Sequence, residues 1–95
     1  MNEIEKSIQN IGLSDISTQT SMSKLVEYGM QALPYILNEI RVGQTARQIL
    51  LRQAILQLPF PAITEAMAEL IDDQHAYVRS IAYRVIGKSK DEKRL

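Results

Sequence analysis

Few side chains in this chain of 95 residues could do chemistry, so they are taken first. His75 is the only histidine, and it lies close in sequence to Asp72 and Asp73. That trio suggests metal binding or acid–base catalysis. One imidazole with two turn carboxylates is a poor donor set for zinc or any other transition metal. A histidine at this place more often begins a helix in solvent, and no metal site is expected. Glu65 and Glu69 stand four apart on one helix face but lack a partner motif, so they read as a solvated face. The serine- and threonine-rich stretch 14–23 offers hydroxyls without a neighbouring base. It also lacks the glycines that would cradle a phosphate. With no cysteine there is no thiolate nucleophile, thiolate metal site or disulfide. The chain is expected not to be an enzyme and to need no cofactor.

What remains is binding through a surface, so the elements that build the surface decide the function. Hydrophobic residues make up 45 % of the chain, enough for a packed core and above a disordered composition. Aromatic residues are only 5 %, so aliphatic side chains must fill that core. No run alternates apolar and polar residues over the length of a strand, which argues for an all-α fold. Formal net charge is zero, which weakens any case for nucleic acid or an anionic membrane resting on the whole protein. The opening MNEIEKSIQN is polar and mixed in charge, neither a secretory signal nor a membrane span. A cytoplasmic protein without membrane contact is expected.

Six helices follow from apolar spacing. The first spans about 2–12, with Ile4, Ile8 and Ile11 along one edge and Gly12 as its stop. The second spans 17–28, capped by Ser17 or Thr18, burying Met22, Leu25 and Val26 and ending at Gly29. The third runs over about 31–41, where Leu33, Ile36, Leu37 and Ile40 share a face and Pro34 fits only in the first turn. The fourth spans about 45–57, with a stripe of Leu51, Ala54, Ile55 and Leu58. Ile49, Leu50 and Leu56 make it apolar on nearly every side. The fifth spans about 61–71, burying Ile63, Met67, Leu70 and Ile71. The sixth spans 74–87, burying Val78, Ile81, Ala82, Val85 and Ile86 and ending at Gly87. Lys88–Leu95 has no apolar period and reads as a charged, frayed tail.

The stretch Leu70–Gly87 is the most specific of these. Its pattern L-I-D-D-x4-V-R-x2-A-x3-I-G resembles the second half of a HEAT repeat, with Asp72 or Asp73, Val78, Arg79, Ala82 and Gly87 at characteristic places. Pairing the helices gives three units, about 2–28, 30–58 and 60–87. Sliding the last unit back by 27 sets Arg52 on Arg79, Leu51 on Val78 and Ile55 on Ala82. The first helices of the units need an offset of about 30. The expected architecture is therefore three antiparallel helical hairpins stacked as a short HEAT-like α-solenoid, a single domain over 1–87. Three units are about the minimum for a stable repeat array. The competing reading is an ordinary six-helix globule whose similarity is accidental.

Charge divides between the two helices of each unit. First helices and their turns carry Glu3, Glu5, Glu39, Glu65, Glu69, Asp72 and Asp73 against Lys6 and Arg41. Second helices carry Lys24, Arg47, Arg52, Arg79 and Arg84 against Glu27. In HEAT repeats the second helices line the concave binding surface, so the resemblance implies a basic inner wall with Tyr77 and Tyr83 nearby. Arg52 and Arg79 have a second reading, since such arginines often brace acidic turns of a neighbouring repeat. Tyr83 and Arg84 are better surface candidates, as are Gln53 and Gln57, which the same offset sets on Ser80 and Arg84. Ile49, Leu56 and Tyr83 lie off the main stripe and would form an apolar patch beside the basic residues if exposed. Packing between units would otherwise cover them.

The expected function is that of a small adaptor or scaffold holding a protein partner, an acidic one where the arginines meet it, on its second-helix face. The partner-binding candidates are Gln53, Leu56, Gln57, Tyr77, Tyr83 and Arg84. The alternative is nucleic acid along the same wall, which requires binding that falls steeply with salt. Ligand or chromophore handling, known among related short helical repeats, has no specific residue here. An array with two open ends would also expose Ile4, Ile8 and Ile11 at one end and Ile81, Val85 and Ile86 at the other. That would favour self-association or a larger complex.

Overall fold

The computed structural model describes residues 2–43 and 45–93, with side chains over 2–43 and 47–88. Every regular element among them is helical, in agreement with the all-α expectation. None of these helices is long and apolar enough to cross a membrane. The chain divides into two compact units, Met1–Leu58 and Pro59–Leu95.

The first unit holds four α-helices: α1 (Glu3–Gln9), α2 (Asp15–Tyr28), α3 (Leu33–Val42) and α4 (Thr45–Leu56). Helix α1 begins with a capping box, in which Asn2 Oδ1 accepts from the Glu5 amide at 2.8 Å while the Glu5 carboxylate accepts from the Asn2 amide at 3.4 Å. It ends at Gln9, short of Gly12. Residues 10–13 form a turn instead, where Gly12 has φ +92° and donates its N–H to Thr18 Oγ1 at 2.8 Å. Ser14 is the true cap of α2, accepting from the Ser17 amide at 3.0 Å. Ser17 and Thr18, expected as caps, bond the turn from inside the helix.

Gly29 terminates α2 as expected. Its φ of +66° lets the chain leave the helix while its N–H still reaches the Leu25 and Val26 carbonyls. A short 3₁₀ turn, Gly29–Ala32, then runs directly into α3, with Pro34 in the first turn where it breaks no helical bond. Two side chains of α4 fasten it to the end of α3. Gln48 Nε2 donates to the Ile40 carbonyl and Arg47 Nη1 to Glu39 Oε1, both at 2.6 Å. The first bond satisfies a carbonyl that the helix end would leave open.

In this unit α1 packs on α2 and α3 on α4, and α1 also meets α3 while α2 meets α4. First helices thus touch first helices, and second helices touch second. The core between them is Ile4, Ile8, Ile11, Leu25, Leu33, Ile36, Leu37, Ile40, Leu51, Ala54, Ile55 and Leu58, all buried. It is aliphatic throughout, as the composition demanded. Met22 and Val26 are only half-buried, so of the three core residues expected on α2 only Leu25 is fully enclosed.

The second unit is a helical hairpin of α5 (Ala62–Ala68) and α6 (Ala76–Lys93). Ile63, Met67, Val78, Ile81, Ala82 and Val85 are its buried residues. Helix α5 stops before Leu70 and Ile71, which lie half-buried in the turn. Gly87 does not end α6, which continues through it to Lys93. Its φ is not positive and the helix simply passes through, because the following Lys–Ser–Lys–Asp–Glu–Lys run consists largely of good helix formers. The expected frayed tail is therefore helical over 88–93, and residues 94 and 95 lie outside the described residues.

The apolar ends expected to be open are closed in part. Ile4, Ile8, Ile11, Ile81 and Val85 are buried, and Ile86 is half-buried. The exposed large apolar residues lie elsewhere, chiefly Ile16 (80 %), Val42 (73 %), Leu13 (71 %) and Tyr83 (61 %).

Candidate functional site

The acidic turn of the second unit is structural. Asp73 Oδ2 accepts from the His75 amide at 2.9 Å, and His75 Nδ1 accepts from the Tyr77 amide at 3.2 Å. His75 therefore stands at the start of α6 and covers one of its open amides. Arg79 Nη1 donates to the carbonyls of Asp73 at 2.8 Å and Gln74 at 3.1 Å. These bonds go to the backbone of its own turn rather than to an acidic side chain of a neighbouring unit. No group of three or more metal-ligating side chains occurs among the described residues.

The other sequence candidates divide between the units. Tyr77 is half-buried. Its hydroxyl is buried and has no hydrogen-bond partner. Tyr83 and Arg84 are exposed neighbours on α6. In the first unit Arg52 is half-buried, and its Nε is enclosed without a partner, so it does not make the expected brace through that atom. Leu56 is half-buried, whereas Ile49 is 43 % exposed.

Gln53 and Gln57 do come together at a cavity. They line an open groove of about 570 Å³ along α2 and α4. Half-buried Met22, Val26 and Leu50 form its apolar floor, and exposed Gln19, Gln53 and Gln57 form its rim. Gln57 Nε2 is turned back to the Gln53 carbonyl at 3.3 Å, which leaves the Gln57 oxygen as an acceptor. The groove follows from sequence in a simple way. On α2, Gln19, Met22, Ser23 and Val26 recur at helical spacing, and Leu50 and Gln53 on α4 with Gln57 just past its end do the same, so each helix contributes one edge.

Among the described residues no charged side chain lines this groove. Of the basic residues expected along the second helices, none of the three in this unit lines the groove. Arg47 reaches back to Glu39 on α3, Arg52 is half-buried, and Lys24 lines a different groove, between α1 and α2. Helix-by-helix charge counts do not say which way a side chain leaves its helix. The missed members of the site are Gln19, Met22, Val26 and Leu50. Their signal was present as an apolar edge on α2 and α4 in excess of one core stripe.

In comparisons with models of protein families, with curated proteins and with solved structures, nothing matches this chain.

Proposed function

We propose that this chain is a small helical-repeat adaptor that holds a segment of a partner protein in the groove along α2 and α4. The observation that carries this reading is the groove's composition, an apolar floor of Met22, Val26 and Leu50 beneath an uncharged amide rim of Gln19, Gln53 and Gln57. An apolar floor rewards burial of a partner's side chains at about 25 cal/mol per Å² removed from water. Glutamine amides both donate and accept, so they suit the peptide groups of a bound segment. Among the described residues no cation lines this groove, which disfavours a phosphate backbone there, since nucleic-acid affinity depends on Lys and Arg contacts.

The HEAT-like solenoid belongs to this proposal. Its support is the pairing of α1 with α3 and α2 with α4, the two-layer pattern of stacked hairpins. The sequence pattern at Leu70–Gly87 supports it as well. A non-enzymatic role accords with the structural use of His75 and Asp73 in their turn.

The test is site-directed photocrosslinking. A photoreactive residue replaces exposed Gln53, and the full chain is irradiated in its native lysate. Discrete protein adducts that disappear when Leu50→Glu is added, in a chain that still melts cooperatively, are the expected result. Adducts unchanged by Leu50→Glu, or nucleic acid in place of protein, would overturn the assignment.

A further inference from the structure

A second groove, of about 520 Å³, runs along α1 and α2 and is unlike the first. Its lining includes the hydroxyl residues Ser7, Ser14, Ser17 and Ser21 and the charged Glu3, Lys6 and Lys24, beside exposed Ile16. Two of these residues sit where a helix pair normally places apolar side chains. Ser7 is 5 % exposed and Ser21 is 4 %, the only polar residues among the described ones with that degree of burial.

Hydroxyls so placed are expected to be bonded. Ser14 and Ser17 are, since they bond each other and the turn. No hydrogen bond within the described residues engages the Ser7 or Ser21 hydroxyl. Neither oxygen is sealed from solvent without a partner. Both residues line the groove, so their free hydrogen-bonding capacity opens into it. Lys24 is one turn beyond Ser21 on α2 and forms no ion pair among the described residues, whereas Lys6 lies 3.9 Å from Glu3. The groove thus combines two unengaged donors, one free ammonium and a second ammonium shared with Glu3.

We propose that this groove is a second binding site, for a phosphate-type oxyanion. Its oxygens accept from the Ser7 and Ser21 hydroxyls and from the Lys24 ammonium, with Lys6 completing the positive side. Tetrahedral oxyanions suit such a set because they present several strong acceptors to donors arriving from different helices. Glu3 leaves the lining residues with one net positive charge, from two lysines against one glutamate. The site therefore holds a single anionic group and is sensitive to salt.

The test is an NMR titration of the full ¹⁵N-labelled chain with inorganic phosphate and, separately, with a phosphoserine peptide, each against sodium chloride at matched ionic strength. Saturable shifts at Ser7, Ser21 and Lys24 with the phosphate probes and not with chloride are expected. Lys24→Met, at an exposed position, should weaken binding about tenfold, the loss of one charge-assisted bond. Ser7→Ala/Ser21→Ala should do at least as much while the melting temperature is kept. Tighter binding of the phosphopeptide assigns the oxyanion to a modified segment, and equal binding assigns it to the free ion. Equal shifts with chloride, or unchanged affinity in Lys24→Met, would overturn the proposal.

Discussion

Arg79 and Arg84 lie on the same helix, yet their surroundings give them opposite consequences. Arg79 is half-buried and holds two turn carbonyls, while Arg84 is exposed. Hydrogen bonds from a charged donor contribute about 1.5–3 kcal/mol. Arg79→Met should therefore lower unfolding free energy in urea by about 2 kcal/mol, and Arg84→Met should stay within about 0.5 kcal/mol of the parent. Equal effects would show that Arg79 does not brace the turn. Arg47 and Glu39 make the corresponding contact in the first unit, at 2.6 Å with side chains 27 % and 14 % exposed. Removing the arginine alone leaves a mostly enclosed carboxylate without its partner. A double-mutant cycle of Arg47→Met and Glu39→Gln should give a coupling of about 1 kcal/mol, above the usual value for an exposed pair. Additive single effects would contradict this account of how α4 is fastened to α3.

At the scale of elements, two glycines test the same substitution with opposite signs. Gly29 ends α2 with φ +66°, and a Cβ there would meet no atom within 4 Å. With ψ −140° as well, the backbone there is one that only glycine adopts readily, so the cost of Gly29→Ala is conformational alone, about 1–3 kcal/mol. Gly87 lies inside α6, also in open space, so Gly87→Ala should stabilise by about 0.5–1 kcal/mol. Paired thermal melts of the two variants check both signs, and a destabilising Gly87→Ala would mean that α6 breaks there. These positions also show what the sequence could disclose. The stripes Leu33–Ile36–Leu37–Ile40 and Leu51–Ala54–Ile55–Leu58 were legible because aliphatic spacing reports the buried face directly. Gly29 and Gly87 look alike in sequence, since the letter does not carry the sign of φ. The start of α2 was missed because several hydroxyl residues from Ser14 to Thr18 could cap, and only the surrounding turn selects Ser14. Met22 and Val26 have the period of core residues, and only the packing of α2 against α4 shows that they face a groove.

At the scale of the molecule, the central claim is that the groove along α2 and α4 is where this chain meets a partner. Gln53 and Gln57 could be singled out from sequence, but the expected arginines were not beside them. Charge assigned to a helix is not charge assigned to a face, and Arg47 shows the difference. The most direct measurement is selection of peptides from a random display library on the immobilised full chain, followed by NMR mapping of the selected sequences. Peptides with apolar residues should emerge and shift the amides of residues 18–26 and 50–57. Binding should fall more than about tenfold in Gln53→Lys/Gln57→Lys, substitutions at exposed positions that leave the core untouched. Peptides that bind this variant as tightly as the parent, or that map away from α2 and α4, would contradict the account.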